Sequence, residues 1–190
     1  MRKLILMMSV SLDGYFEDRN GSLDWQVVDD DLHRHFNEQL RAMDAFLDGR
    51  LTYELMAGFW PTADLDPSST QPMVEFASIW RDMPKIVYST TLDHAEWNAT
   101  VMRTVDPEGI RQLKTQPGRD LALGGADLAR TFLRHGLIDE LWIYVHPVVL
   151  GEGRPLFTSV DRTSLRLVDT RAFDSGVVLL RYAVRPEPVD

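Results

Sequence analysis

The sequence predicts an α/β fold: a mostly parallel mixed sheet with flanking helices and a C-terminal antiparallel hairpin. Apolar, β-rich runs alternate with segments of helical period as far as residue 146, which is the rhythm of a parallel sheet crossed by helices. The chain then closes on two β-rich runs joined through Asp174-Ser175-Gly176, which reads as an antiparallel edge. With 190 residues, 44% of them apolar and 26% charged, the chain can fill one core, so a single domain over residues 1–190 is expected.

Residues 3–12 (KLILMMSVSL) form a continuous apolar run ending at Asp13-Gly14, the pattern of a central strand buried on both faces. A polar loop with Asn20-Gly21 follows. Leu32, Phe36, Leu40 and Met43 then recur at helical spacing behind Asp29-Asp30-Asp31, whose charges suit the positive end of a helix dipole. Residues 45–47 read as a short strand stopped by Asp48-Gly49, and residues 51–59 as a short helix. The prolines of residues 60–72, set among Asp, Ser and Thr, predict a surface loop. Residues 73–83 are helical, residues 85–89 and 101–105 are strands, and Pro107 opens a helix reaching Thr115. Residues 120–123 enter the pair Gly124-Gly125, residues 126–135 carry Leu128, Phe132 and Leu133 at helical spacing, and residues 140–146 (ELWIYVH) are a strand. Residues 164–173 and 177–184 complete the hairpin.

A net charge of -9 argues against a nucleic-acid or anionic-membrane surface, so the expected partners are a small-molecule substrate and a second copy of the chain. The absence of Cys excludes disulfides, thiolate zinc sites and a Cys nucleophile, and fits a cytoplasmic protein. No apolar run reaches membrane-spanning length. His33 and His35 lie two apart on a helix and point to different sides, and the other histidines are scattered, so no metal is expected. Met7, Met8, Met43 and Met56 read as core filler. The stretch Trp142 to Val145 and the exposed sheet edge offer a surface for a two-fold dimer.

In an open α/β sheet, ligands bind outside the carboxyl ends of the strands. Three strand-to-helix junctions share one character: Asp48-Gly49-Arg50-Leu51-Thr52, Ser89-Thr90-Thr91 and Gly124-Gly125-Ala126. Each offers free backbone N–H groups, a hydroxyl or a cation, the equipment for a phosphate at a helix N-terminus. Each also has an ordinary reading as a turn or helix cap. No G-x-G-x-x-G opens a helix after a strand, and there is no Walker loop, so neither a Rossmann nor a P-loop protein is indicated.

The ordered segments SVSLDGYFED, DGRLTYE, YSTTL, LGGADLARTFL and GLIDELWIYVHPVVLGEGRPLF resemble the dihydrofolate-reductase-like superfamily. Within it they are most similar to the C-terminal reductase domain of the bifunctional riboflavin-biosynthesis deaminase/reductase. The resemblance implies NADPH bound in extended form and hydride transfer to a C=N or C=O carbon. It places Gly49, Arg50 and Thr52 at the adenosine-side phosphates, and Ser89 and Thr90 at the 2'-phosphate. Gly124, Gly125, Ala126 and Asp127 match the pyrophosphate turn, and Ser9 and Val10 match backbone beside the nicotinamide. Many relatives carry Ser-Arg where this chain has Ser89-Thr90, and folate reductases carry a threonine about where Val145 falls.

For the proton, the resemblance implies Asp31, near the acidic position of folate reductases; Asp29, Asp30 and Asp31 also read simply as helix caps. Asp13 and Trp25 at the mouth of the first strand, Val145, and Gly151 of the Leu150-Gly151-Glu152-Gly153 block are the substrate-side candidates. The expected activity is an NADPH-dependent reductase of a small heterocyclic or ribosylamino-pyrimidine-like substrate, of the 5-amino-6-(5-phosphoribosylamino)uracil reductase type. A divergent dihydrofolate reductase and a non-catalytic dinucleotide-binding module are the alternatives.

Overall fold

The computed structural model describes residues 1–185 of the chain. Ten strands and five α-helices occur among them, in an order close to that expected. The main sheet runs β5 (Ala99–Met102), β4 (Lys85–Tyr88), β3 (Met43–Gly49), β6 (Asp120–Gly124), β1 (Leu4–Ser11), β7 (Glu140–His146), β10 (Val178–Val184), β9 (Leu165–Ala172). The strands from β5 to β7 are parallel, and β10 pairs antiparallel with both β7 and β9. The parallel part therefore presents all its carboxyl ends along one edge.

Helices cover both faces, which explains the unbroken apolar run of β1. Leu4, Leu6 and Val10 face one core with Ile110 of α4 (Pro107–Thr115) and Leu128, Ala129 and Phe132 of α5 (Ala126–Arg134). Ile5 and Met7 face the other, with Leu32 and Leu40 of α1 (Asp30–Arg41), Tyr53 of α2 (Arg50–Ala57), and Phe76 and Trp80 of α3 (Gln71–Asp82). Successive strand residues point to opposite faces, so β1 serves both cores at once. The acidic triplet divides its work: the Asp29 carboxylate accepts from the Leu32 backbone N–H at 2.9 Å as the N-cap, while Asp30 and Asp31 occupy the first turn.

The structure differs from the sequence reading in five places. Met43, counted with the face of the first helix, instead opens β3. Residues 60–72 are not a bare surface loop, because Trp60–Leu65 is a 3-10 helix with Pro61 and Ala63 buried. The strand expected at 101–105 is Ala99–Met102. Two short strands were not foreseen: β2 (Tyr15–Asp18) and β8 (Gly153–Pro155) pair antiparallel as a separate ribbon. Finally, Trp142, Ile143 and Tyr144 are buried inside the sheet, so they fill the core rather than offer a docking face; the exposed edge is β9. No helix among the described residues is long and apolar enough to cross a membrane.

A cleft with a polar half and an aromatic half

Where the parallel strands end, the chain leaves a cavity of about 1060 Å³. The three junctions named from sequence all line it, and two of them open helices whose first N–H groups have no side-chain cap. Gly49 precedes α2 in this way and Gly125 precedes α5. Uncapped N–H groups at a helix start are an anion site in waiting. The third junction, after β4, holds Ser89, whose hydroxyl oxygen accepts from the N–H groups of Thr91 and Leu92 at 3.2 and 2.8 Å.

The glycine pair is required by the walls themselves. A Cβ on Gly124 would lie 2.6 Å from Asp48 Oδ1, and one on Gly125 would lie 2.7 Å from Thr52 Oγ1. Gly125 also has φ of +91°, a conformation L side chains adopt only with strain. Both glycines thus let α2 and the end of β3 close against the start of α5.

Around this polar half stand three arginines. Arg50 pairs with Glu54 at 2.7 Å. Arg103, just beyond β5, donates to the carbonyls of Ser89 and Leu92 and pairs with Asp93 at 2.9 Å. Arg154 on β8 bridges Glu17 of β2 at 3.0 Å and Asp127 of α5 at 3.1 Å, lying over the Phe16 ring. The unforeseen ribbon is therefore tied to the first turn of α5 across the rim of the cleft.

The other half is aromatic and neutral. Phe36, Trp60, Phe76 and Tyr144 line it, Trp60 edge-on to Phe76 at 4.3 Å and Phe36 edge-on to Tyr144 at 4.7 Å. His33 lies among them, edge-on to Trp60, and burial holds its pKa below the ordinary imidazole value.

Beside Gly124, in the wall of the polar half, sits Asp48. Its side chain shares a sheet face with Phe46 and so with Met7, Ser9 and Tyr144. It is 6% exposed, lines the cavity, and accepts no hydrogen bond from the described protein groups. Burial pushes its pKa up to about 7 against the pull of the Lys85 ammonium. Lys85 is itself spent on the carbonyls of Trp80, Met83 and Trp97.

Of the residues expected at the site, Ser9, Gly49, Arg50, Thr52, Ser89, Thr90, Gly124, Gly125, Ala126 and Asp127 line this one cavity. Val10 does not, since it points into the opposite core. Asp31 is placed elsewhere: its side chain is 42% exposed and its carboxylate stands 3.6 Å from Arg171 on β9. The buried acid that a folate-type site requires at Asp31 is therefore absent. The four substrate-side candidates also lie outside. The Asp13 carboxylate accepts from Ser11 Oγ and from the N–H groups of Leu150 and Gly151, pinning one loop to another. Trp25 packs edge-on to His146 at 5.5 Å, and Val145 packs against the α5-side core. Sequence reasoning missed His33, Phe36, Trp60, Arg103, Tyr144 and Arg154, and named Asp48 only as part of its junction, with no role of its own; all of them line the cavity.

Fold and cleft together define the class, a dihydrofolate-reductase-like α/β protein. Dihydrofolate reductase from Enterococcus faecalis, in a structure with NADP(H), superposes with a TM-score of 0.64 at 16% identity, covering 97% of each chain. The chain belongs to the RibD C-terminal domain family, which it matches over residues 2–179. Among similar proteins, the uncharacterized protein YyaP of Bacillus subtilis (strain 168) is 38% identical over 183 residues, spanning 95% of this chain and 94% of that protein. The Thermotoga maritima diaminohydroxyphosphoribosylaminopyrimidine deaminase/5-amino-6-(5-phosphoribosylamino)uracil reductase has a TM-score of 0.66 at 18% identity; the match covers 97% of this chain and 57% of that one.

Proposed function

We propose that this chain is an NADPH-dependent reductase of a small heterocyclic substrate. One observation carries the reading: a single cleft joins a half built for phosphates to an aromatic half, with a protonatable carboxyl in its wall. The residues present fit the cofactor. The uncapped helix starts at Gly49 and Gly125 offer N–H groups where no Cβ intervenes, Arg50 and Arg103 supply cations, and Ser89 and Thr90 supply hydroxyls. When bound, the reduced nicotinamide supplies the hydride for a C=N or C=O carbon.

The protein's own work is to orient the two partners, exclude water and provide a proton. Phe36, Trp60 and Phe76 supply flat apolar walls for a ring. Asp48 holds the proton at a carboxyl oxygen, since an acid whose pKa lies near the working pH transfers a proton most effectively. The protein acts as a homodimer in this reading, with the fully exposed β9 as the pairing edge; sedimentation of the wild type should give twice the chain mass.

Titration with NADPH, followed by nicotinamide fluorescence, tests the cofactor half. Adding pterins or aminopyrimidines and following loss of nicotinamide absorbance tests turnover. Asp48→Asn is expected to bind NADPH within about threefold of wild type while turnover falls ~100-fold, the usual scale of general acid catalysis. Failure of the wild type to bind any nicotinamide dinucleotide would sink the reading.

A further inference from the structure

The aromatic half of the cleft is one-sided in charge. Among the described residues that line the cavity there is no Lys, and its arginines, Arg50, Arg103 and Arg154, stand at the polar half or its rim rather than beside Phe36, Trp60, Phe76 and Tyr144. A phosphate group carried into this half would lose its water and meet no cation.

The neutral donor there is Tyr144, and its state is dictated from outside the cleft. Arg171 on β9 approaches His35 Nδ1 at 3.2 Å, and Asp31 holds the same guanidinium at 3.6 Å on its outer side. A guanidinium only donates, so Nδ1 must accept and the ring hydrogen must sit on Nε2. Nε2 stands 3.2 Å from Tyr144 Oη and so donates to it. One of the phenol's two lone pairs is thereby used, and its own proton has no acceptor among the described residues. A buried hydroxyl with an unspent proton is a hydrogen-bond donor awaiting a ligand acceptor.

We propose that the second substrate is an uncharged planar ring bearing a carbonyl oxygen or ring nitrogen that accepts from the Tyr144 hydroxyl, and that phosphorylated compounds are turned away. This rests on the reductase reading, because it assigns the polar half to the cofactor. Arg171 and His35 are positioning residues: they set the direction of the Tyr144 hydrogen bond. Asp31, remote from the cleft, contributes by anchoring Arg171.

The test uses the full chain loaded with NADP+ and two matched pairs of probes, uridine with its 5'-monophosphate and riboflavin with flavin mononucleotide, in equilibrium titrations. The neutral member of at least one pair is expected to bind tenfold or more tightly than its phosphate. The proposal is overturned if the phosphate binds equally or better in both pairs, or if no probe binds. NADP+ binding is measured first; if it fails, the reductase reading fails, while the same titrations on unloaded protein still decide the ring proposal.

Tyr144→Phe is expected to weaken ring binding about tenfold with NADP+ affinity held within twofold, and an unchanged ring affinity overturns the assignment. Arg171→Met adds a readout that a structural role does not move. Without Arg171, His35 is free to carry its hydrogen on Nδ1 and accept the Tyr144 proton, so ring binding should weaken at about pH 8. Arg171→Lys, which keeps a donor facing Nδ1, should hold ring affinity closer to wild type than Arg171→Met does. The charged groups acting on His35 are Arg171, Arg181, Asp31 and Glu38, with Tyr144, Phe36 and Phe173 packed on its ring. Equal ring affinity in Arg171→Met and wild type, or an equal loss in Arg171→Lys and Arg171→Met, overturns the positioning role.

Discussion

Replacing Asp48 with Asn should change how stability depends on pH, and the size of the change follows from the structure. The Asp48 carboxyl titrates at about 7 in the folded chain against 3.8 for an ordinary aspartate, because burial penalises its ionised form. Between those values the folded chain keeps a proton that the unfolded chain has released. Stability from this group is therefore present below about pH 4 and is lost as pH rises to about 7, at ~1.4 kcal/mol per pH unit. The whole interval corresponds to ~4 kcal/mol, and relaxation or water entry into the cleft will reduce it to ~2–3 kcal/mol. Asn cannot ionise, so the variant should lack this loss. The assay is urea unfolding of both proteins at about pH 5 and about pH 8, scored as the difference between them. This subtraction removes shared carboxylates such as Asp44 and Asp64, whose pKa values are lowered by arginines and whose contribution runs the opposite way. About a third of the interval lies below pH 5, so Asp48→Asn should gain on wild type by ~1–2 kcal/mol between the two conditions. A gain under ~0.5 kcal/mol would show that Asp48 ionises normally, and its role as proton source would fall with it.

Two further substitutions probe the polar half. Arg103→Gln should weaken NADPH ~10-fold in fluorescence titrations while leaving NADH within twofold, because Arg103 lies beside Ser89 where the sequence lacks the arginine of many relatives; equal losses for both dinucleotides refute it. Gly125→Val forces a side chain onto Thr52 Oγ1 at a φ of +91°, and should lower NADPH affinity more than tenfold and melting temperature by several degrees. Pairing it with Thr52→Ala relieves the contact and should restore part of the stability, whereas unchanged affinity in a folded single variant would reduce the glycines to a turn.

The architecture was legible because each long element carries its own period or cap. The run of β1, the Asp29 cap before α1, and the Pro107 start of α4 are local statements, readable without knowing what they pack against. Elements whose reason is non-local were invisible. β8 is three residues long and exists because Gly153, at a φ of +155°, lets its backbone press against Glu17 of β2; neither strand has a period of its own. Trp60–Leu65 looked like loop because its prolines and polar residues dominate the composition, yet Trp60 is anchored by Phe76 from the neighbouring helix.

The site divides along the same line. Junction glycines and hydroxyls announce themselves, since they break the pattern of a strand at a position where ligands bind, and all three junctions meet in one cleft. Asp48 gave the opposite signal. Followed by Gly49, it read as chain punctuation, and nothing near it in sequence says that its carboxyl is buried. That follows from Gly124, distant in sequence, which leaves the space that Asp48 Oδ1 fills. Asp31 illustrates the converse, an acid in the right kind of helix turned outward to Arg171. The two observations bear on one another. If the proton is held at Asp48 on the sheet, the helix wall is relieved of that duty and can be neutral and aromatic, with Tyr144 oriented from the surface through Arg171 and His35. Proton delivery and ring recognition then rest on separate groups, so Asp48→Asn should lower turnover with ring affinity intact, and Tyr144→Phe should lower ring affinity while Asp48 keeps its titration.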